Sequence, residues 1–466
     1  MNKSDGERVG TVLDKYGFEY TDSEENADVL GVLACSVRQK AIDKVYSKIH
    51  KWNKWKNKKS LISFISGCVL PADKEKFLKL FDIIFPMSEL NQLPEMISQY
   101  GVVTPLSARG FVSGDKEQLH SGSIKFDPAT VVLDGERDSK KNTGSYMRDF
   151  WHVRPKYNST FEAFIPIQNG CDKFCTFCAV PYTRGREVSR PSEEILDELK
   201  SVVEQGFKSI TLLGQNVNSY GLDKHGEEIN FPELLRKIGE YGNQSGKEFW
   251  VYFTSPHPRD MTDDVIDVIA GYDCLAKQIH IPLQSGDDKV LIKMNRKHNL
   301  DDYRHIIHKI RNTIPRATIF TDIIVGFTGE TDEQFENTRK AMEEFKFNMA
   351  YIAIYSPRPG AASSRWDDDV PHAAKKERLH TLTNELTKHT LVYNQNMIGN
   401  TYRVLVTGED RKSGYLSGLT EGKLIVRFHG DEPVQLGDFI DVKITSVTDF
   451  ATEGELVSAE NLETVG

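Results

Sequence analysis

The sequence lacks the features that would place it among membrane or secreted proteins. No apolar run approaches the roughly 18 residues needed to cross a bilayer, and the polar start MNKSDGERVG does not resemble a secretory signal peptide. Six cysteines in 466 residues are too few for a disulfide scaffold. With 27% charged and 39% hydrophobic residues, the chain is predicted to be a globular cytoplasmic protein of about three domains.

The chain also lacks a positive net charge, since its formal charge is −9 at pH 7. Nucleic-acid binding depends on local basic patches more than on total charge, so an RNA partner is not excluded. Basic residues do cluster at Arg184, Arg186 and Arg190, and again from Lys293 to Arg316. A solvated helix face is the alternative interpretation of each cluster.

Three cysteines are spaced as ligands of one metal centre. Cys171, Cys175 and Cys178 lie in GCDKFCTFC, and the next histidine downstream is His225. A closed zinc site usually needs four ligands, whereas three thiolates around a cluster of four irons leave one iron open. The spacing therefore favours an open [4Fe–4S] cluster, with structural zinc as the alternative.

Two further cysteines follow predicted strands near the N-terminus. Residues 3–16 are predicted to be helical, and the strands ADVLGVLA and SLISFIS lead into Cys35 and Cys68, with an amphipathic helix between them. The carboxyl ends of parallel strands lie side by side at an edge that commonly binds ligands. Cys35 and Cys68 are therefore candidate ligands, or alternatively small buried residues. This α/β domain is expected to span residues 1–104.

The rest of the chain is predicted to contain a linker and two domains. Residues 105–156 are polar and irregular and form the expected linker. In residues 157–387 strands and helices alternate six times, which predicts a (β/α)6 partial barrel with active groups at the carboxyl ends of its strands. Residues 394–460 contain short strands with glycine turns, typical of a small antiparallel barrel. Cys274 is predicted to be a buried core residue.

These motifs resemble those of the radical-SAM methylthiotransferases over nearly the whole chain. GCDKFCTFC fits that superfamily's C-x3-C-x2-C motif, with the aromatic Phe177 before the last cysteine. The order of domains is also similar: a cluster domain, a radical-SAM barrel and a TRAM domain. Within the family, CSVRQKA, PYTRGREVSRP, LLGQNVNSYG, SPHPRDM and YSPRPGA are most similar to the MiaB-type branch, which modifies isopentenyl-adenosine beside the tRNA anticodon.

The resemblance implies an enzyme that adds a methylthio group to carbon 2 of isopentenyl-adenosine at tRNA position 37. Cys171, Cys175 and Cys178 would hold the [4Fe–4S] cluster that binds S-adenosylmethionine, and no catalytic residue is assigned beyond the cluster ligands. Cys35 and Cys68 would hold a second [4Fe–4S] cluster, which delivers the methylthio group and whose third cysteine is expected upstream of Met1. The expected cofactor-binding residues are Phe177, Gly214, Gln215, Asn216, Gly326 and Glu330. The RNA-binding candidates are Arg184, Arg186 and Arg190.

Two alternative functions stay open at the level of sequence. One is the same reaction on threonylcarbamoyl-adenosine in tRNA, and the other is a catalytically impaired iron–sulfur RNA-binding protein without a complete second cluster. The expected partners are tRNA and an electron donor such as a reductase or a flavodoxin-like protein; no sulfur donor is assigned. A monomer without membrane contact is expected.

Overall fold

The chain divides into two compact units in a computed structural model. The residues described are 1–35, 39–101, 147, 150–430 and 434–457. The first unit comprises Met1–Asn158, Cys178–Arg190 and Arg358–Gly360, and the second comprises Ser159–Phe177, Pro191–Pro357 and Ala361–Gly466. Most of the predicted linker, residues 105–156, lies outside the described residues. No helix in the described ranges is long and apolar enough to cross a membrane.

The first unit is built on a parallel sheet with strand order β1-β2-β3. The strands are β1 (Val29–Cys35), β2 (Ile62–Cys68) and β3 (Ile83–Ile84). The main helices are α1 (Asn2–Lys15), α2 (Gln39–Lys56), α3 (Pro71–Leu78) and α4 (Leu93–Ser98). The predicted helix at residues 3–16 and both predicted strands are confirmed to within two residues at each end.

Helices cover both faces of this sheet, because successive strand side chains point in opposite directions. Phe64 of β2 packs with Val9 and Leu93, which belong to α1 and α4. Its neighbour Ile65 packs with Ile49 of α2 and other residues of the opposite layer. Burial on both faces explains why β2 is an almost continuous apolar run. The same unit contains α5 (Val180–Thr183) and β6 (Val188–Ser189).

The second unit contains six parallel strands, as the alternation of strands and helices predicted. They are β4 (Glu162–Pro166), β7 (Ser209–Leu213), β8 (Trp250–Phe253), β9 (Gln278–His280), β10 (Thr318–Val325) and β11 (Met349–Ile354). They pair in the orders β4-β7-β8 and β9-β10-β11. A parallel bridge between Val251 and Leu275 joins the two groups, so the strands form the expected (β/α)6 partial barrel.

Helices connect or follow these strands, and several of them begin with a side-chain cap. The helices are α6 (Ser192–Glu204), α7 (Phe231–Ser245), α8 (Asp263–Gly271), α9 (Asp288–Lys293), α10 (Leu300–Thr313), α11 (Asp332–Phe345) and α12 (His372–Gln395). Asn230, Thr262, Asn299 and Thr331 each accept a hydrogen bond from a backbone amide in the first turn that follows. These caps set the start of the helices that carry them, and so the length of the loop before each of those helices. A short strand, β5 (Gln168–Asn169), lies between β4 and the cysteine motif.

The C-terminal strands close into a five-stranded barrel. They are β12 (Thr401–Glu409), β13 (Tyr415–Thr420), β14 (Ile425–His429), β15 (Phe439–Val447) and β16 (Thr452–Leu456). The order around the ring is β12-β13-β14-β16-β15. The expectation of an antiparallel barrel is corrected at one pair, because β14 and β16 run parallel. An odd number of strands in a closed ring cannot alternate direction all the way round.

The turn between β13 and β14 packs against the amino-terminal ends of the large barrel's strands. The backbone amide of Lys277, just before β9, donates to the Glu421 carboxylate (3.2 Å). Thr318, the first residue of β10, donates from Oγ1 to the carbonyl of Gly422 (2.7 Å). Lys423 Nζ lies 4.1 Å from the centroid of the Tyr252 ring. The small barrel therefore docks at the end of the large barrel that does not carry the cysteine loop.

We expect Gly422→Ala to loosen this docking, because a Cβ atom at Gly422 would lie 2.6 Å from Thr318 Cγ2. The expected loss in the free energy of unfolding is about 1–3 kcal/mol, measurable by chemical denaturation of the full chain. Gly408→Ala in the same barrel is the control, since a Cβ there meets nothing within 4 Å. Equal effects of the two substitutions would contradict the docking role of Gly422.

Candidate active site

The cysteine loop begins just after β5, at the carboxyl end of the first barrel strand. Residues 293–296 hold this loop through main-chain contacts. Asn295 Nδ2 donates to the carbonyl of Phe174 (2.9 Å), and the amide of Thr176 donates to the carbonyl of Met294 (3.0 Å). Phe174 and Asn295 both have positive φ, 49° and 59°. Such strained backbone persists only where surrounding contacts determine it, and it often marks functional sites.

A buried arginine contacts one of the loop thiols. Arg296 is 5% exposed, and its Nη1 lies 3.5 Å from Cys175 Sγ. Its Nη2 donates to the carbonyl of Pro282 (2.9 Å), just beyond β9. This guanidinium thus links the cysteine loop to the loop that follows β9.

The three thiols of the motif are half-buried, and none of the chain's six cysteines, all within the described ranges, forms a disulfide. Cys171 and Cys175 belong to the second unit, and Cys178 belongs to the first. In the described part of the chain, no three His, Cys, Asp or Glu side chains are grouped closely enough to hold a metal ion. Convergence of the three sulfur atoms therefore stays a prediction. Cys274 is buried as expected, and burial raises its pKa to about 11.

The predicted polar residues after β7 brace the start of the cysteine loop. Gln215 Oε1 accepts a hydrogen bond from the amide of Gly170 (2.6 Å), immediately before Cys171. Asn216 Nδ2 donates to Ser219 Oγ (2.7 Å). Asn216 Oδ1 is buried and has no hydrogen-bond partner among the described residues. A buried carbonyl oxygen of this kind requires a donor, which a ligand or a water molecule can supply.

The remaining predicted cofactor residues lie in tightly packed surroundings. Phe177 packs beside the buried cluster of Val290, Met294, Phe327 and Tyr355. A Cβ at Gly214 would lie 3.0 Å from Val217 Cγ1. Gly326 has a φ of +69°, and a Cβ there would lie 2.3 Å from Lys375 Cγ, so this position requires glycine.

Glu330 is a buried carboxylate with two structural partners. Its Oε2 accepts from the amide of Gly326 (2.6 Å) and from Arg378 Nη1 (2.7 Å). Burial raises the pKa of Glu330, and the Gly326 amide and Arg378 oppose that rise. These contacts hold the turn after β10 in one conformation.

Sequence reasoning missed two histidines near Arg296. The rings of His257 and His298 are 5.7 Å apart, and each Nε2 atom is buried without a hydrogen-bond partner among the described residues. Burial, and then the charge of Arg296, lower the pKa of both, that of His298 to about 4. Both rings are therefore neutral at pH 7. His257 lies within the SPHPRDM segment, which gave it no role of its own, and no motif marked His298.

A second group that sequence reasoning missed lies on the last three barrel strands. His280 Nε2 and Asp322 Oδ2 are 2.8 Å apart, and Asp322 is directly opposite Tyr351 in the register of β10 and β11. The Tyr351 side chain is 47% exposed. Their strand neighbours Ile279 and Ile323 are completely buried, so the three side chains occupy the opposite, inner face of the partial barrel. The alternation of side-chain direction along these strands is the feature of the sequence that could have revealed this group.

The two N-terminal cysteines are adjacent, as the strand pattern predicted. Cys35 and Cys68 are direct partners in the parallel register of β1 and β2. Arg184 Nε donates to Cys68 Sγ (3.0 Å), and Arg184 Nη2 forms an ion pair with Asp5 Oδ2 (2.7 Å).

The three arginines predicted to bind RNA differ in exposure. The Arg184 side chain is 6% exposed and Arg190 is 5% exposed, whereas Arg186 is exposed. A phosphate contact requires a surface position. The positions of Arg184 and Arg190 therefore argue against this role, and for Arg186 it stays a prediction.

Comparison with known proteins identifies the class of enzyme. Three family models match the chain: uncharacterized protein family UPF0004 at residues 1–85, the radical SAM superfamily at residues 165–342, and the TRAM domain at residues 395–457. The structure of the radical S-adenosylmethionine methyltransferase TsrM from Kitasatospora setae has the same fold, with a TM-score of 0.52 and 14% identity over 78% of this chain and 72% of that one. These matches define a radical-SAM enzyme with a TRAM domain.

Curated relatives define the family within this class. The chain is 36% identical to the tRNA-2-methylthio-N(6)-dimethylallyladenosine synthase of Actinobacillus succinogenes and 37% identical to that of Actinobacillus pleuropneumoniae. It is 36% identical to the synthase of Escherichia coli, and each match covers 99% of this chain and 91% of the relative. The chain belongs to the MiaB-type family of radical-SAM methylthiotransferases. Membership of the radical SAM superfamily implies a [4Fe–4S] cluster and S-adenosylmethionine as cofactors.

We expect Arg184→Met to destabilise the first unit by about 3–5 kcal/mol, because it leaves the Asp5 carboxylate buried without its partner. Hydrogen exchange in α1 and β2 would measure this loss. Arg186→Met is the matched control, and its exposed position predicts a change of no more than about 0.5 kcal/mol. Unchanged exchange in the Arg184 variant would show that the pair does not support the unit.

Proposed function

We propose that this enzyme adds a methylthio group to carbon 2 of N6-dimethylallyladenosine, the isopentenyl-adenosine at position 37 of tRNA. The names of the relatives, matched over 99% of the chain, support this substrate over threonylcarbamoyl-adenosine. The structural observation that carries the proposal is the braced cysteine loop at the carboxyl end of the first barrel strand. Active groups of parallel barrels gather at this end.

The donor set fits an open [4Fe–4S] cluster. Cys171, Cys175 and Cys178 would hold it, because three thiols on one short loop leave the fourth iron available to S-adenosylmethionine. When bound, this pair of cofactors supplies the one-electron chemistry that removes a hydrogen atom from an unactivated aromatic carbon, which acid–base groups cannot do. Arg296, whose Nη1 lies 3.5 Å from the sulfur of Cys175, would hold that side chain in position.

The cofactor-binding residues would act mainly by shaping the site. Gln215 fixes the amide of Gly170 and thereby the first residue of the loop. Asn216 Oδ1 is the group best suited to accept a hydrogen bond from the cofactor, since it is buried without a partner in the described residues. Gly214 and Gly326 leave no room for a side chain at the strand ends. Phe177 and Glu330 would keep the adjoining loops in place.

Cys35 and Cys68 would be ligands of a second [4Fe–4S] cluster that delivers the methylthio group. Their direct pairing across β1 and β2 supports a shared ligand role. The Arg184 Nε–H directed at Cys68 Sγ would hold that side chain in position, as Arg296 would hold Cys175.

The inner face of the last three strands is suited to bind the target nucleoside. The exposed ring of Tyr351 offers a stacking surface, and the His280–Asp322 pair offers an oriented polar edge. His280 lies two residues before Pro282, whose carbonyl accepts from the same Arg296 guanidinium that contacts Cys175. Arg296 thus contacts both the cysteine loop and the chain that follows β9, which supports a nucleoside site near that loop.

We expect Cys175→Ala to abolish cleavage of S-adenosylmethionine and to leave tRNA binding nearly unchanged, because the thiol is proposed to bind the cluster and not RNA. In a strain without the gene, nucleoside analysis of tRNA should then find isopentenyl-adenosine without its methylthio group. The parent gene should restore the modification, and the Cys175→Ala gene should not. Cys274→Ala is the control and should restore it. Restored modification by the Cys175 variant would refute the assignment.

We expect Tyr351→Ala to raise the KM for tRNA by about tenfold or more, since stacking on an aromatic ring contributes roughly 1–3 kcal/mol per base. Tyr351→Phe keeps the ring and should retain most of the affinity. Cleavage of S-adenosylmethionine without RNA should be the same in both variants. A loss of that cleavage in Tyr351→Ala would indicate a structural role for the ring.

A further inference from the structure

The solvent face of α2 is strongly basic in a chain of net negative charge. Residues 39–59 contain eight lysines and one acidic residue, Asp43. Among the helix residues whose side chains the structure describes, the exposed lysines are Lys44, Lys48, Lys51 and Lys54. Spacings of four, three and three residues place them on one side of the helix. The opposite side, which includes Ile42, Val45, Ile49 and Trp52, is buried in the core.

Neighbouring groups neutralise little of this charge. Glu24 forms an ion pair with Lys48 and lies 3.4 Å from Lys51. Both lysine side chains stay at least half exposed, at 50% and 54%, and exposed ion pairs of this kind contribute only about 0–1 kcal/mol. Lys51 also lies 4.6 Å from the centroid of the Trp55 ring, which holds its ammonium group on the outer face. The Glu24 carboxylate is thus shared by two of the four lysines of this face, Lys48 and Lys51.

The C-terminal barrel, by contrast, has no comparable basic surface in its described residues. Residues 401–457 contain ten acidic and six basic residues. Arg403, Lys412 and Arg427 are each within 3.2 Å of a carboxylate oxygen. Burial lowers the pKa of Lys423. The electrostatic attraction between this enzyme and RNA can therefore come from a part of the chain other than this barrel.

We infer that the basic face of α2, formed by Lys44, Lys48, Lys51 and Lys54, binds the phosphate backbone of the tRNA substrate. The inference rests on the proposed function. At about 1.5 Å per residue, the face extends about 15 Å from Lys44 to Lys54. It can therefore follow several consecutive phosphates of one strand. An acidic electron-donor protein would also be attracted by this charge, but lysines spaced along the whole length of one helix face suit a regularly charged backbone better.

The test is the salt dependence of tRNA binding to the cluster-loaded full chain. Lys44→Gln, Lys51→Gln and Lys54→Gln are combined in one variant, since glutamine keeps helix propensity. The control combines Lys237→Gln, Lys340→Gln and Lys376→Gln, three exposed lysines on other helices. Each lost phosphate contact should reduce the slope of log K against log salt by about 0.7–0.9. The α2 variant should therefore lose about two units of slope and at least about tenfold in affinity at 0.15 M salt, and the control should match the parent.

Three results would overturn the inference. The first is an unchanged slope in the α2 variant, and the second is an equal loss in the control. The third is slower reduction of the α2 variant by an acidic flavodoxin, with an unchanged slope of log K for tRNA against log salt. That result would assign the face to the electron donor. In all three, the parent still binds and modifies tRNA, so the proposed function stands. A parent that binds no tRNA would refute both.

Discussion

The register of the parallel strands is the constraint on which both units depend. Parallel pairing brings the carboxyl ends of neighbouring strands to one edge, and side chains distant in sequence then become direct partners. Cys35 and Cys68 are 33 residues apart but lie opposite each other in β1 and β2. Asp322 and Tyr351 meet in the same way on β10 and β11. A shift of one residue would move each side chain to the other face of its sheet.

Buried arginines are the second recurring element. Arg184 directs an N–H at Cys68, and Arg296 directs one at Cys175. Each guanidinium is also fixed by a second acceptor, the Asp5 carboxylate in one unit and the Pro282 carbonyl in the other. A guanidinium can make these contacts at once because its donors are held in a planar fork. Each arginine thus holds a cysteine side chain in position from a buried site.

Charge is distributed unevenly over the domains. The family's TRAM domain is acidic in this chain, and in the described residues its turn at Gly422 is used to dock on the large barrel. The basic face of α2 lies in the N-terminal domain instead. A net charge of −9 is thus compatible with a polyanionic substrate, because the short range of screened electrostatics makes local patches decisive.

The sequence alone was enough to predict the class of fold, the order of the domains and the cysteine motif, because strand and helix periodicity and ligand spacing are local properties. It also placed Cys35 and Cys68 at neighbouring strand ends. It could not show that Arg184 is buried against Asp5, since a run of basic residues looks the same in a sequence whether it lies at the surface or in the core. His298, and the pairing of His280 with Asp322, depended on contacts between separate strands and loops. These contacts could be found only in the folded chain, because packing between residues distant in sequence sets which polar atoms are removed from water.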